Sequence, residues 1–96
     1  MTSKQRAFLR GKANKIEAIF QIGKTGLTEN LINQLSDALE ARELIKITVL
    51  ETAPDTAKEL APEIANATNS EVIQVIGNKI VLYRINKNKN RYEMNL

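Results

Sequence analysis

The sequence predicts a small α/β domain of order αβαβαββ, three helices layered on a four-stranded mixed sheet. Two observations carry this reading. The chain has 96 residues, enough for one hydrophobic core and too few for two without disulfides or metals. Helical apolar spacing also takes turns along it with short β-prone runs. The first two strand–helix units would use right-handed crossovers if their strands are parallel.

Ser3 is the expected cap of a first helix reaching about Asn14 or Lys15, with Leu9, Ala13 and Ile16 facing the core. Arg6 and Arg10, four apart, share a flank of it. Gly11 costs that helix about 1 kcal/mol relative to alanine and marks close packing or an early end. Ala18 to Ile22 reads as a first strand, stopped at Gly23. Thr28 caps a second helix through about Glu43. Its apolar stripe is Leu31, Ile32, Leu35, Ala38 and Leu39, and Asp37, Glu40 and Glu43 are expected away from it.

Alternation of Ile45, Ile47 and Val49 with Lys46 and Thr48 makes Leu44 to Leu50 the second strand. Thr56 with Glu59 forms a capping box for a third helix to about Ala67, kinked or delayed by Pro62. Val72 to Ile76 and Ile80 to Arg84 are strands joined by the two-residue turn Gly77-Asn78. Residues 86–96 are polar, and either fray or add an edge strand. The whole is expected to be one domain over 1–96, with a core at about 3–84 and a polar basic tail at 86–96.

Composition removes several function classes. With no cysteine and no histidine, disulfides, the usual zinc sites, thiol nucleophiles and imidazole bases are absent. No cofactor and no catalytic residue is expected. The N-terminus lacks the apolar stretch of a signal peptide, and no apolar run is long enough for a membrane span, so the expected place is the cytoplasm, with no membrane partner. Net charge is +3, unevenly spread. Residues 1–26 carry +5, residues 27–78 carry −6 and residues 79–96 carry +4. If the two ends meet, they form one positive face, the electrostatic footprint of a nucleic-acid binder; otherwise they are solubility tails.

The most informative segment is Gly23-Lys24-Thr25-Gly26, between a strand and a capped helix. Two glycines permit a sharp turn and close approach of a ligand. The helix start offers unpaired N–H groups and its positive dipole end to a phosphate, Lys24 adds charge and Thr25 a hydroxyl. The same idea appears in the GXXG loop by which KH domains clamp a nucleic-acid backbone. A nucleotide-binding P-loop would need glycine at position 18, which is Ala18, and Ile19 to Ile22 reads as strand. The aromatics are only Phe8, Phe20, Tyr83 and Tyr92, with Phe8 and Phe20 expected in the core. Without an aromatic sheet face, RNA contacts should fall on phosphate and sugar.

Taken together, Leu9-Arg10-Gly11-Lys12-Ala13, Ile22-Gly23-Lys24-Thr25-Gly26-Leu27-Thr28, Ala38-Leu39-Glu40 with Glu43-Leu44-Ile45-Lys46, and Val75-Ile76-Gly77 with Val81-Leu82-Tyr83-Arg84 resemble the YhbY family, the bacterial single-domain members of the CRM (chloroplast RNA splicing and ribosome maturation) group. The resemblance covers roughly residues 3–84. It implies a fold similar to the C-terminal domain of translation initiation factor three and an RNA-binding role on precursors of the large ribosomal subunit, without catalysis. It maps the RNA-binding loop onto Gly23, Lys24, Thr25 and Gly26, and a basic surface onto Arg6, Arg10, Lys12, Lys46, Lys79 and Arg84. Thr25 stands where asparagine or a similar polar residue is more usual, and Ala18 where proline is common before the strand. Plant relatives act in intron splicing, which would use the same surface. The contrasting reading is a protein-interaction adaptor working through its acidic helices. Monomer or weak dimer is the expected state.

Overall fold

In the computed structural model, which describes residues 1–94, the elements are α1 (Ser3–Ala13), β1 (Phe20–Ile22), α2 (Glu29–Arg42), β2 (Leu44–Val49), α3 (Ala57–Thr68), β3 (Glu71–Ile76) and β4 (Lys79–Tyr83). The sheet order is β1-β2-β4-β3. β1 runs parallel to β2, and β4 lies antiparallel to both its neighbours. The α/β architecture expected from the sequence is therefore the one observed.

Both helical crossovers step across the sheet in one direction, from β1 to β2 and from β2 over β4 to β3. Crossovers of one hand then place both helices on one face. That face holds the main core, where Ile22, Ile45, Ile47, Ile80 and Leu82 meet Leu35 and Leu39 of α2 and Leu60 and Ile64 of α3. Each such side chain, fully withdrawn from water, contributes about 1.5–3 kcal/mol. The opposite face carries a second core in which Leu9 and Ala13 of α1 pack on Leu44, Ile73, Val81 and Tyr83, together with Met94.

Local chemistry explains the boundaries. α1 is capped by Thr2, one residue before the expected Ser3: its hydroxyl accepts from the Gln5 N–H, and the Gln5 side chain accepts from the Thr2 N–H. Ser3 has no glutamine or glutamate three residues on, and Thr2 does. Gly11 faces open space and lies within the helix, so it marks neither close packing nor an end. β1 is shorter than expected and starts at Phe20. The Thr56–Glu59 capping box starts α3 at Ala57, and the helix runs through Pro62 without a delayed start. Pro62 is exposed, so the interrupted turn lies away from the core. Gly77, at φ +57°, turns β3 into β4 with Ile76 opposite Lys79.

Two side chains differ from expectation. Phe8 is 45% exposed, because Leu9 and Ala13 define the buried line of α1 and Phe8 falls outside it. Glu43 is fully buried, not solvated. It ends α2 at φ +67° and turns its carboxylate inward. Oε2 accepts from the Asn86 N–H at 2.9 Å and Oε1 from the Arg91 N–H at 2.7 Å. Residues 86–94 are consequently strapped to the body and make no strand, and Tyr92 packs edge-on to Tyr83 at 6.3 Å between ring centres. Residues 95 and 96 of the expected tail lie outside the described residues. Among the described residues the buried Tyr83 hydroxyl has no hydrogen-bond partner. Burial, then the Glu43 carboxylate, then Tyr92 push its pKa up to about 12.

Candidate nucleic-acid interface

The Gly23–Gly26 segment forms a hydrogen-bonded turn, the Gly26 N–H donating to the Gly23 carbonyl at 2.9 Å. Lys24 and Thr25 occupy its tip and are exposed. Their two N–H groups find no acceptor in the protein among the described residues. The glycines are not equivalent. Gly26 is buried, sits at φ +69°, and would bring an added Cβ to 3.0 Å from Pro54. An added Cβ on Gly23 would make only ordinary contacts with Leu50 and Thr52, at 3.5 and 3.7 Å. The turn therefore owes its shape to Gly26 and its support to the β2–α3 connection.

The helix start beyond the turn is partly occupied. Thr28 accepts from the Leu31 N–H at 3.1 Å, and Glu29 already places an acid in the first turn. Among the described residues, free donors here include the two N–H groups of the turn tip, those of Glu29 and Asn30 at the helix start, and the Lys24 ammonium, which has no ion-pair partner.

Strand register extends this site across the sheet. Gln21 stands opposite Thr48, Thr48 opposite Lys79, and Lys79 opposite Ile76. Paired residues point to the same side of a sheet, and here it is the side of α1, since Ile22, Ile47, Val49 and Ile80 point into the main core. The row begins one residue before the turn's strand ends. Lys79 Nζ donates to Thr48 Oγ1 at 2.9 Å, which fixes the ammonium over β2. Lys46, half-buried, lies on the same side two residues earlier in β2. α1 covers the other end of this face, over Leu44 and Tyr83.

The structure divides the remaining basic residues. Arg6 and Arg10 lie on one flank of α1; Arg6 donates to the Val72 carbonyl and pairs with Glu71 at 3.7 Å, tying α1 to β3. Lys12 belongs to the other flank, its ammonium 5.3 Å from the centre of the Phe8 ring. Arg84 stands apart from the set. Nη1 donates to Ser36 Oγ and the Thr68 carbonyl, and Nη2 to the Ser36 carbonyl and Glu40, at 2.7–3.3 Å. All four Nη hydrogens have acceptors, so this guanidinium clamps β4 to α2 and α3.

The two basic ends of the chain do meet: α1 and residues 86–94 share the second core, where Leu9 and Ala13 cluster with Met94 and Tyr92. The exposed acids Glu29, Asp37, Glu40, Glu59 and Glu63 ride on α2 and α3, behind the other sheet face. Charge is thus biased by face, although Arg42 and Lys58 sit on α2 and α3 and Glu71 and Glu93 lie on the α1 side. Among the described residues no group of three or more acidic side chains is placed to hold a metal, and no helix is long and apolar enough to cross a membrane.

Comparison with known proteins bears on the family and the fold. The family model described as the CRS1 / YhbY (CRM) domain matches residues 1–84. The chain is 43% identical over 94 residues to "Probable RNA-binding protein YqeI" of Bacillus subtilis, covering 98% of each. It is 33% identical over 84 residues to an RNA-binding protein of Haemophilus influenzae, covering 88% of this chain and 85% of that one. Its fold is similar to the solution structure of the hypothetical protein SAV1595 from Staphylococcus aureus, with a TM-score of 0.76, 52% identity and 90% of each chain covered.

Proposed function

Because the chain belongs to the CRS1 / YhbY (CRM) domain family, we propose that it binds structured RNA through the Gly23–Gly26 turn and the basic face beside it, as an assembly factor acting on ribosomal RNA of the large subunit in the cytoplasm. The observation that carries this reading is the turn itself. It presents an ammonium, a hydroxyl and two unspent N–H donors at one exposed tip. Phosphate oxygens accept from all of these groups.

Lys79 and Lys46 extend the contact across the sheet, and Arg10 and Lys12 extend it over α1. Gly26, at φ +69°, lets the chain turn tightly enough for Lys24 and Thr25 to project side by side. Recognition then rests on charge and on the shape of the RNA backbone, and binds and holds a fold of RNA without making or breaking a bond. The site needs no cofactor.

The test is titration of a large-subunit ribosomal RNA fragment with the wild type and with a Gly23→Asp, Lys24→Glu double variant, both verified as folded by circular dichroism. The wild type should bind, and log K should fall linearly with log salt. The variant should lose affinity and show a shallower slope, by about 0.7–0.9 for each phosphate contact removed. Equal binding by the two proteins would move the site away from the turn. Affinity independent of salt would refute a phosphate-centred contact.

A further inference from the structure

The exposed ring of Phe8 does not belong to the surface described above. α1 turns this flank away from Arg6 and Arg10 and toward residues 91–94. Phe8 stands between two shallow recesses. One, of about 390 Å³, is lined by Lys4, Gln5, Phe8, Tyr92, Glu93 and Met94. The other, of about 320 Å³, is lined by Phe8, Lys12, Arg91, Tyr92 and Glu93. Both volumes fall in the range of about 300–1,000 Å³ typical of small-ligand clefts.

Nothing in the packing of the domain requires this ring. At 45% exposure it takes little part in either core, and the second core closes beneath it on Leu9, Met94 and Tyr92. Its surroundings are of two kinds. Tyr92 and Met94 supply an apolar floor, while Lys4, Lys12 and Arg91 supply cations on either side. An apolar ring bordered by cations is the chemistry of a stacked base flanked by its own phosphates. Glu93 would repel phosphate from the floor itself and accept from an exocyclic amino group, which favours the base edge over the backbone inside the recess.

We infer that Phe8 is a stacking platform for one unpaired RNA base, with Lys4, Lys12 and Arg91 holding the phosphates on either side of it. This deepens the RNA-binding reading and rests on it, but it lies on a different part of the molecule and shares only Lys12 with the surface proposed above. α1 covers the Leu44 end of the sheet, whereas the Gly23–Gly26 turn follows the Ile22–Val49 end. The turn grips backbone of any sequence. The platform selects for a strand interruption, a bulge or loop from which a base is free to leave the stack.

The chain has no tryptophan, so Phe8→Trp makes a single fluorescent reporter. Short single-stranded oligoadenylate should quench its emission saturably. A blunt RNA duplex should bind without quenching, and so should inorganic polyphosphate of matched charge. Phe8→Ala, an exposed change expected to fold, should weaken oligoadenylate binding by at least about fivefold, the lower end of what one stacked base contributes. Duplex affinity should be unchanged. Absence of quenching by oligoadenylate, equal quenching by polyphosphate, or unaltered oligoadenylate affinity in Phe8→Ala would each overturn the platform. The two readings fail separately. If the ribosomal fragment binds and is lost in the double turn variant while oligoadenylate leaves the reporter unchanged, only the platform falls. If the reporter responds as expected but the turn variant binds normally, the platform stands and the turn reading falls. If no RNA binds the wild type, both are wrong.

Discussion

Glu43→Gln is the sharpest perturbation of the fold. The wild-type carboxylate is fully buried and accepts two backbone N–H groups, from Asn86 and Arg91, both on the segment that lies over Tyr83. Glutamine keeps one oxygen and replaces the other with an NH₂, which then faces an N–H donor. One charge-assisted bond, worth about 1.5–3 kcal/mol, is lost, and its donor is left unpaired. Against this stands the relief of no longer burying a charge. The net expectation is a destabilisation of about 2 kcal/mol. For a domain of this size each kcal/mol moves the melting temperature by about 4–8 °C, so a fall of about 8–16 °C follows. Urea unfolding followed by circular dichroism gives the free energy, and amide hydrogen exchange gives the location. In the wild type the amides of Asn86 and Arg91 should both be protected; in the variant one of the two should exchange fast. An unchanged midpoint with both amides still protected would show that the buried carboxylate does not hold the segment.

Two further outcomes follow from the same structure. Tyr83 has a pKa raised from 10.0 to about 12, so the folded state keeps its proton longer than the unfolded chain. Its contribution is complete below pH 10 and is lost as pH rises from 10 to 12, amounting to about 2–3 kcal/mol at the upper end; chemical denaturation across that range should show the loss, and Tyr83→Phe should reduce it without lowering stability at pH 7, since the hydroxyl has no partner among the described residues. Gly26→Ala should cost about 1–2 kcal/mol through its positive φ and weaken RNA binding, whereas Gly23→Ala should be nearly neutral in thermal melts; equal effects at both positions would contradict the asymmetry of the turn.

Much of the fold was legible because its signals are local. Caps, alternation and a two-residue turn lie within a few residues of what they specify, and this suffices for the order of elements and for the turn between β1 and α2. What escaped is set by distant partners. Arg84 reads as one more surface cation until Ser36, Thr68 and Glu40 are brought to it from two helices. Glu43 reads as solvated because it is charged, although Leu35, Leu39 and Glu43 run four apart and so share one buried line. That spacing was the available signal, and the charge masked it. Phe8 shows the reverse error, an aromatic assigned to the core by type when its place on the helix lies outside the line of Leu9 and Ala13. The Lys79–Thr48 contact depended on knowing that β4 inserts between β2 and β3.

The bias of charge by face also governs the moments before contact. A body 37 Å in its longest dimension, acidic behind one face of its sheet and basic across the other, experiences a torque in the field of a polyanion. Screening confines that field to a shell of about 8–10 Å at physiological salt, so alignment takes place in the last approach. If RNA binds as proposed, molecules arriving acid-first would be turned or repelled, and those that touch would do so with the turn and α1 leading. On that reading the field would bias orientation before any hydrogen bond forms, which would shorten the rotational search for a small surface meeting a large target.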